Sequence, residues 1–202
     1  MMVPDRAASS EPLAMHEHAA SNLSYIRQAM ERAGSFSAVP GWGQVAIGVT
    51  ALVAVVVARR QPSLAGWLAV WIGEAVIAVA IGVSAMARKA RRTGVSLLGA
   101  SARKFALGLT PALVAGAALT VVLVKGGSAG LLPGTWLLLY GAAVVSAGAF
   151  SVRVVPVTGG VLMLTGLVAL ASPRSWGDAL LAVGFGVVQI VSGVVIARRA
   201  GG

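Results

Sequence analysis

The stretch LAGWLAVWIGEAVIAVAIGVSAMA, residues Leu64–Ala87, decides the fold class of this chain. It is longer than the roughly 20 apolar residues that a helix needs to cross the hydrocarbon core of a bilayer. Its only charged side chain is Glu74, which lies near the middle. The stretch therefore predicts a membrane-spanning helix that carries one carboxyl group close to mid-membrane.

The rest of the chain is equally apolar. Hydrophobic residues make up 57% of the chain and charged residues 11%, whereas a typical soluble domain has about 25% charged residues. Five further runs are long or nearly long enough to span: Val39–Ala58, Phe105–Val124, Pro133–Val152, Val154–Ala171 and Gly177–Ala197. The sequence therefore predicts an all-α membrane protein, with a domain of six transmembrane helices over residues 39–202.

The first 38 residues differ from this domain. Residues 1–20 contain acidic residues and lack an apolar core, which predicts a disordered cytoplasmic tail rather than a signal peptide. Residues 21–38 begin with an amphipathic pattern, in which apolar side chains recur at helical spacing: Leu23, Ile26, Met30 and Ala33. We expect a short interfacial helix that lies among the lipid headgroups. The alternative is a docking helix for a soluble partner.

The distribution of basic residues predicts the orientation. Of the 16 Lys and Arg residues, an inward-facing N-terminus leaves only four outside, namely Arg59, Arg60, Lys125 and Arg174. Cytoplasmic segments of membrane proteins are enriched in Lys and Arg. We therefore expect both termini in the cytoplasm. The dominance of Ala, Gly and Val, with Arg exceeding Lys, favours a bacterial protein of the inner membrane.

Six basic residues concentrate between the second and third spans: Arg88, Lys89, Arg91, Arg92, Arg103 and Lys104. We expect these residues to form a lipid-facing basic loop on anionic headgroups, where each basic residue contributes about 1 kcal/mol to binding at the membrane surface. A protein-docking surface is the alternative. Nucleic acid is excluded as a partner because no aromatic residues interleave with the charges.

The spans also show a weak internal repetition. An aromatic residue next to or near a glycine recurs in the second, fourth and sixth spans, at Trp71, Tyr140 and Phe185. Three helical hairpins are one interpretation of this pattern. A three-plus-three division of the spans, as in some carriers, is another.

The candidate site consists of Glu74, Gln189 and Trp71, the buried polar or binding groups that the spans offer. In helical geometry, Glu74 shares a face with Trp71 and small residues, and Gln189 shares one with Gly186 and Gly193. We expect these two faces to meet, with Glu74 near Gln189. Glu74 then either holds helices together, through Gln189, a hydroxyl group or a carbonyl group, or binds a proton or cation in a carrier.

Enzymatic chemistry lacks candidate residues. The chain has no Cys, and both histidines, His16 and His18, lie in the tail. No spacing predicts a metal site, and no glycine-rich loop predicts a bound cofactor. We therefore expect no catalytic residues, no metal and no cofactor.

Two functions remain. The first is a small-solute or ion transporter with Glu74 as its coupling group. The second is a non-transporting sensor or partner subunit, which docks a cytoplasmic protein through the N-terminal helix and basic loop or forms a homo-oligomer. The helix number and the stretch Ala54–Ala58, AVVVA, resemble the substrate-binding subunits of vitamin importers. That resemblance implies a contact between small residues and an energising partner, and it assigns no family.

Overall fold

A computed structural model describes residues 39–93, 100–149 and 151–200, and these residues form helices. Five of the spans are single helices: α1 (Gly41–Ala58), α2 (Leu64–Thr93), α3 (Ala100–Lys125), α4 (Leu132–Gly148) and α5 (Val154–Ala171). The last span joins α6 (Gly177–Leu181), a π-helical segment (Ala182–Val188) and α7 (Gln189–Ala200) without a break. Short 3-10 turns at Ala129–Leu131 and Arg174–Trp176 precede α4 and α6.

Within the described residues, six helices are long and apolar enough to cross a membrane, which confirms the predicted all-helical class and the predicted number of helices of spanning length. The predicted tail, residues 1–20, lies outside the described residues. The interfacial helix predicted for residues 21–38 does so as well.

Some helix ends differ from the predicted bounds, at the charged residues between α2 and α3 and at the turn between α4 and α5. α2 continues to Thr93 and α3 begins at Ala100, because Arg and Lys are compatible with a helix and two of them, Arg91 and Arg92, occupy the favourable last turn of α2. α4 ends at Gly148, earlier than predicted, and the turn to α5 therefore precedes Val154.

Glycines seven residues apart set the contact between α1 and the last span. Gly41 faces Gly193, and Gly48 faces Gly186 in an antiparallel register. A Cβ atom on Gly193 would lie only 2.7 Å from the carbonyl oxygen of Gly41. The two backbones therefore touch directly, as small residues allow in membrane helices.

The same arrangement joins α4 to α5. Gly141 and Gly159 face each other, and a Cβ atom on either one would lie 2.7 Å from the carbonyl oxygen of the other. Gly134 and Gly166 repeat the contact one heptad away, at 2.9 Å. The closest pairs are thus α1 with the last span and α4 with α5. Three equivalent hairpins do not describe this packing.

The remaining spans lie at the periphery. α2 packs on α1 and α3 packs on α4, and a Cβ atom on Gly108 of α3 would lie 2.8 Å from the backbone nitrogen of Ala147. Both peripheral helices expose large apolar side chains, including Val76 at 65% and Val114 at 61%. Such surfaces suit contact with lipid.

Each end of the bundle has its own buried cluster. Val39, Ala90, Ala102, Val155 and Ile196 are buried together where α1, α3 and α5 begin, and we call this the basic end because most arginines lie there. At the opposite end, Trp71 packs with Ala58 and Leu181, and Trp67 and Trp136 lie against them. We call that the tryptophan end.

Candidate functional site

Five polar or charged residues are buried in the part of the chain that the structure describes: Glu74, Lys89, Thr158, Gln189 and Ser192. Two of them are satisfied within their own helices. Thr158 donates a hydrogen bond to the carbonyl oxygen of Val154, and Ser192 donates to that of Gln189. Glu74 and Gln189 instead bond other helices, and Lys89 bonds Val39 just before α1, so these three connect parts of the bundle.

Gln189 lies at the junction of the π-helical segment and α7, and its side chain is 2% exposed. Its Oε1 accepts a hydrogen bond from Nε2 of Gln44 in the first turns of α1. Its own Nε2 donates to the hydroxyl of Tyr140 in α4 at 3.0 Å. The side chain amide therefore joins three helices by a continuous chain of polar groups.

Aromatic rings extend this chain toward the tryptophan end. The Tyr140 ring packs edge-on against Phe185, with centroids 5.4 Å apart. Phe185 contacts Trp71 at 6.1 Å, and Trp71 contacts Trp67 at 6.2 Å. Nε1 of Trp67 then donates to Oδ1 of Asp178 at 2.9 Å.

We call this series the polar–aromatic column: Gln44, Gln189, Tyr140, Phe185, Trp71, Trp67 and Asp178. It runs from the first turns of α1 at the basic end to the start of α6 at the tryptophan end. The π-helical segment supplies Phe185, and such segments occur often at functional sites.

Trp71 is the column's unsatisfied member. Its side chain is 4% exposed, yet its indole N–H has no acceptor among the described residues. By contrast, the indole of Trp136, whose ring stacks on Trp67, donates to Thr120 at 2.8 Å. Buried indole N–H groups usually find a partner. Trp71 therefore offers a donor in the interior that the described protein groups leave unused.

Glu74 lies one turn after Trp71 on α2, and it is 8% exposed. Its Oε1 lies 2.8 Å from Oγ1 of Thr50 in α1. The same hydroxyl lies 2.9 Å from the carbonyl oxygen of Ile47. No basic side chain of the described residues pairs with the carboxyl group. A single hydroxyl is therefore its polar partner.

Glu74 and Gln189 are not bonded to each other, which corrects the expected contact between them. The small-residue face of the last span packs on α1 rather than on α2, because Gly41 and Gly48 match Gly193 and Gly186 in register. Thr50 and Gln44 lie six residues apart on α1. That spacing separates them by about 120° around the helix and about 9 Å along it. Glu74 and Gln189 thus bond α1 on different faces, while Trp71 still reaches the last span through Phe185.

The six basic residues lie on helix ends rather than in a loop. Arg88, Lys89, Arg91 and Arg92 belong to the last turns of α2, and Arg103 and Lys104 to the first two turns of α3. Lys89 is not lipid-facing, because it is 8% exposed and its Nζ donates to the carbonyl oxygen of Val39 at 3.0 Å. A long apolar stem allows this burial. The other five are exposed.

The alanines that suggested an importer subunit also face inward. Ala54 is 6% exposed and Ala58 is 1% exposed. Ala58 belongs to the buried cluster of the tryptophan end. This small-residue contact is therefore used within the chain.

Sequence reasoning missed three bonding partners, Gln44, Thr50 and Tyr140. It also missed the glycines repeated every seven residues, which fix which helices meet: Gly41, Gly48, Gly134, Gly141, Gly148, Gly159, Gly166, Gly186 and Gly193. That spacing is visible in the sequence. It would have indicated close antiparallel pairs, since a strict seven-residue repeat keeps one face toward a neighbour.

The polar groups of the site can bind a proton, a cation or a solute that forms hydrogen bonds. No group of three or more His, Cys, Asp or Glu side chains is assembled within residues 39–93, 100–149 and 151–200. The site offers a carboxyl group, two amides, a phenol and an indole donor in an apolar interior. Comparison with protein-family models, with curated proteins and with solved structures finds no match to this chain.

Proposed function

We propose that this chain is a small multi-pass transporter of a small solute or ion, in which Glu74 binds and releases a proton or cation. The observation that carries the proposal is the buried Glu74–Thr50 pair, which has no basic partner among the described residues. An ionisable group within a membrane span is costly, and such groups mark ion or substrate pathways. A purely structural link between α1 and α2 would need only a neutral amide or hydroxyl.

Thr50 suits a carboxyl group that changes its protonation state. A hydroxyl carries one proton, so it cannot donate to Ile47 and to Glu74 at the same time. When Glu74 is neutral, its own proton is donated to Oγ1, and Thr50 donates to the carbonyl oxygen of Ile47. When Glu74 is ionised, the hydroxyl proton turns to the carboxylate. A hydrogen bond therefore exists in both states.

The polar–aromatic column supports a route for the solute or the proton across the bundle. Trp71 belongs to the column and precedes Glu74 by one turn of α2, so the carboxyl group is adjacent to it. We place the conformational change at the contact of α1 with the last span, because the π-helical segment there can exchange its bonding pattern with an α-helix. A shift of that contact alters the surroundings of Gln44 and Thr50 together.

The basic end is assigned to the cytoplasm and the membrane to the bacterial inner membrane. Exposed arginines at that end, including Arg91, Arg92, Arg103 and Arg199, support this orientation. At the opposite end, Trp67 and Trp136 suit the outer interface, where indole rings are enriched.

A vesicle assay tests the proposal. The full chain is reconstituted with a trapped pH-sensitive dye, and solutes are added from a library of metabolites and cations. We expect at least one solute to drive proton movement with wild-type protein and none with Glu74→Gln. Glu74→Asp is expected to retain the movement, because it keeps the acid. An unchanged response with Glu74→Gln overturns the carrier mechanism.

A sensor or partner subunit is the second candidate. It is favoured by the exposed guanidinium groups of Arg91, Arg92 and Arg103, which have no acidic partner among the described residues. Affinity purification of the full chain after crosslinking in cells tests this role. A cytoplasmic protein that is recovered with the wild type, and lost when residues 21–33 are deleted or the three arginines are changed to Ala, supports it.

A further inference from the structure

A long groove lies on the outer surface between α5 and the last span. Its volume is about 470 Å³. Seven valines form most of its walls: Val154, Val157 and Val161 from α5, and Val187, Val188, Val191 and Val195 from the last span. The valines of the last span extend over nine residues, from Val187 to Val195, which corresponds to about 12 Å along the helix.

The groove exists because both helices make their closest contacts elsewhere. α5 presents Gly159 and Gly166 to α4, and the last span presents Gly186 and Gly193 to α1. The faces that remain between α5 and the last span carry valines, whose branched side chains hold the backbones apart. Valine has few rotamers in a helix, so the walls keep their shape.

The polar side chains of the groove leave its walls apolar. Thr158 and Ser192 line it but are 5% and 6% exposed, and both hydroxyls donate to carbonyl oxygens of their own helices. The interior of the groove therefore offers an apolar molecule continuous hydrocarbon contact.

One end of the groove is strongly basic. Arg153 and Arg199 line it at the basic end of the bundle, and both side chains are exposed. Neither forms an ion pair with an acidic residue among the described residues. The acidic residues there are Glu74 and Asp178, and they bond Thr50 and Trp67. Two guanidinium groups beside an apolar channel match a molecule with an anionic head and a hydrocarbon tail.

We propose that this groove binds an anionic phospholipid, with one acyl chain between the valines and the phosphate at Arg153 and Arg199. Basic pockets between membrane helices bind such headgroups. Guanidinium groups suit phosphate because they bond two of its oxygens at once. The site is separate from Glu74, so it does not depend on the transport proposal.

Native mass spectrometry of the full chain tests the headgroup. Detergent-solubilised protein is titrated with phosphatidylglycerol and, in parallel, with phosphatidylcholine of the same acyl chains. The wild type is expected to retain phosphatidylglycerol at lower concentration. Removing both arginines in R153A/R199A is expected to weaken that binding roughly 30-fold. The control R59A/R60A removes two exposed arginines at the opposite end of the bundle, outside the groove, and is expected to bind as the wild type does.

A second pair of variants tests the groove itself without changing charge. Val157→Trp and Val191→Trp fill it from either wall at positions 66% and 57% exposed, so folding is not at risk. Both are expected to lose the bound phosphatidylglycerol, whereas Val121→Trp on α3 retains it. Full binding by the groove variants, or by R153A/R199A, overturns the proposal. Equal retention of the two lipids does so too, as does a dimer mass in place of lipid adducts.

Discussion

The two glycine-packed helix pairs have the same close backbone contact but differ in the polar groups between their helices. In α1 with the last span and in α4 with α5, a Cβ atom on a facing glycine would lie 2.7 Å from the opposite carbonyl oxygen. The first pair joins its helices with the Gln44–Gln189 bond as well, whereas the second pair has no such bond between its described residues. Since α4 and α5 pack as closely without a polar link, close packing does not require one. The polar groups of the first pair are therefore available for function.

The largest expected effect comes from adding a methyl group to either pair. Gly159→Ala places Cβ 2.7 Å from the nitrogen of Val145, and Gly193→Ala places it 2.7 Å from that of Val45. Each is expected to lower the free energy of unfolding by about 2–3 kcal/mol, since backbone cannot yield as a side chain can. Reversible unfolding in mixed micelles measures this.

Gly160→Ala is the matched control, because no atom lies within 4 Å of the added Cβ. It is expected to leave stability unchanged or to raise it by up to about 1 kcal/mol through helix propensity. If Gly193→Ala were harmless while Gly159→Ala was not, the two pairs would not be equivalent.

A smaller effect is expected from removing the polar link of the first pair. Gln189→Leu deletes the bonds to Gln44 and Tyr140, and membrane hydrogen bonds contribute about 0.6 kcal/mol each on average. We expect about 1 kcal/mol of lost stability and the same helical content by circular dichroism. A loss as large as that of the glycine variants would show that the amide, not glycine, holds α1 to the last span.

Thr50→Val removes one hydroxyl at nearly constant volume, and about 0.6 kcal/mol of stability is expected to be lost with its bond to Glu74. The solute-driven proton movement is expected to become slower and to depend differently on pH, because both protonation states of Glu74 lose their hydrogen bond and the ionised state loses the stronger one. The vesicle assay measures both. An unaltered pH profile would separate Thr50 from proton binding.

The smallest effect on hydrogen bonding is expected at Trp71. Trp71→Phe keeps an aromatic ring and deletes an N–H that has no acceptor among the described residues. The free energy of unfolding is therefore expected to change by less than about 1 kcal/mol. Trp67→Phe is the comparison, because it loses the bond to Asp178. If Trp71→Phe abolishes solute-driven proton movement with stability intact, the unused donor contacts the transported solute.

The sequence by itself determined the class of the protein and the position of its spans. The bounds predicted for the fifth span, Val154–Ala171, are those of α5, and α2 begins at Leu64 as predicted. The length of an apolar run is a local property, so it is readable without a fold. The same local reasoning identified Glu74, Gln189 and Trp71 as buried, and all three are.

Only the tertiary structure decided which partners these residues have. Gln189 bonds Gln44, 145 residues away along the chain, and Glu74 bonds Thr50 rather than Gln189. Helical periodicity gives each side chain a face but does not say which helix that face meets. Glycines matched in register between distant helices make that choice, because backbones in contact leave a polar side chain only the neighbours within about 3 Å. The inward turn of Lys89 and the valine groove follow from the same packing.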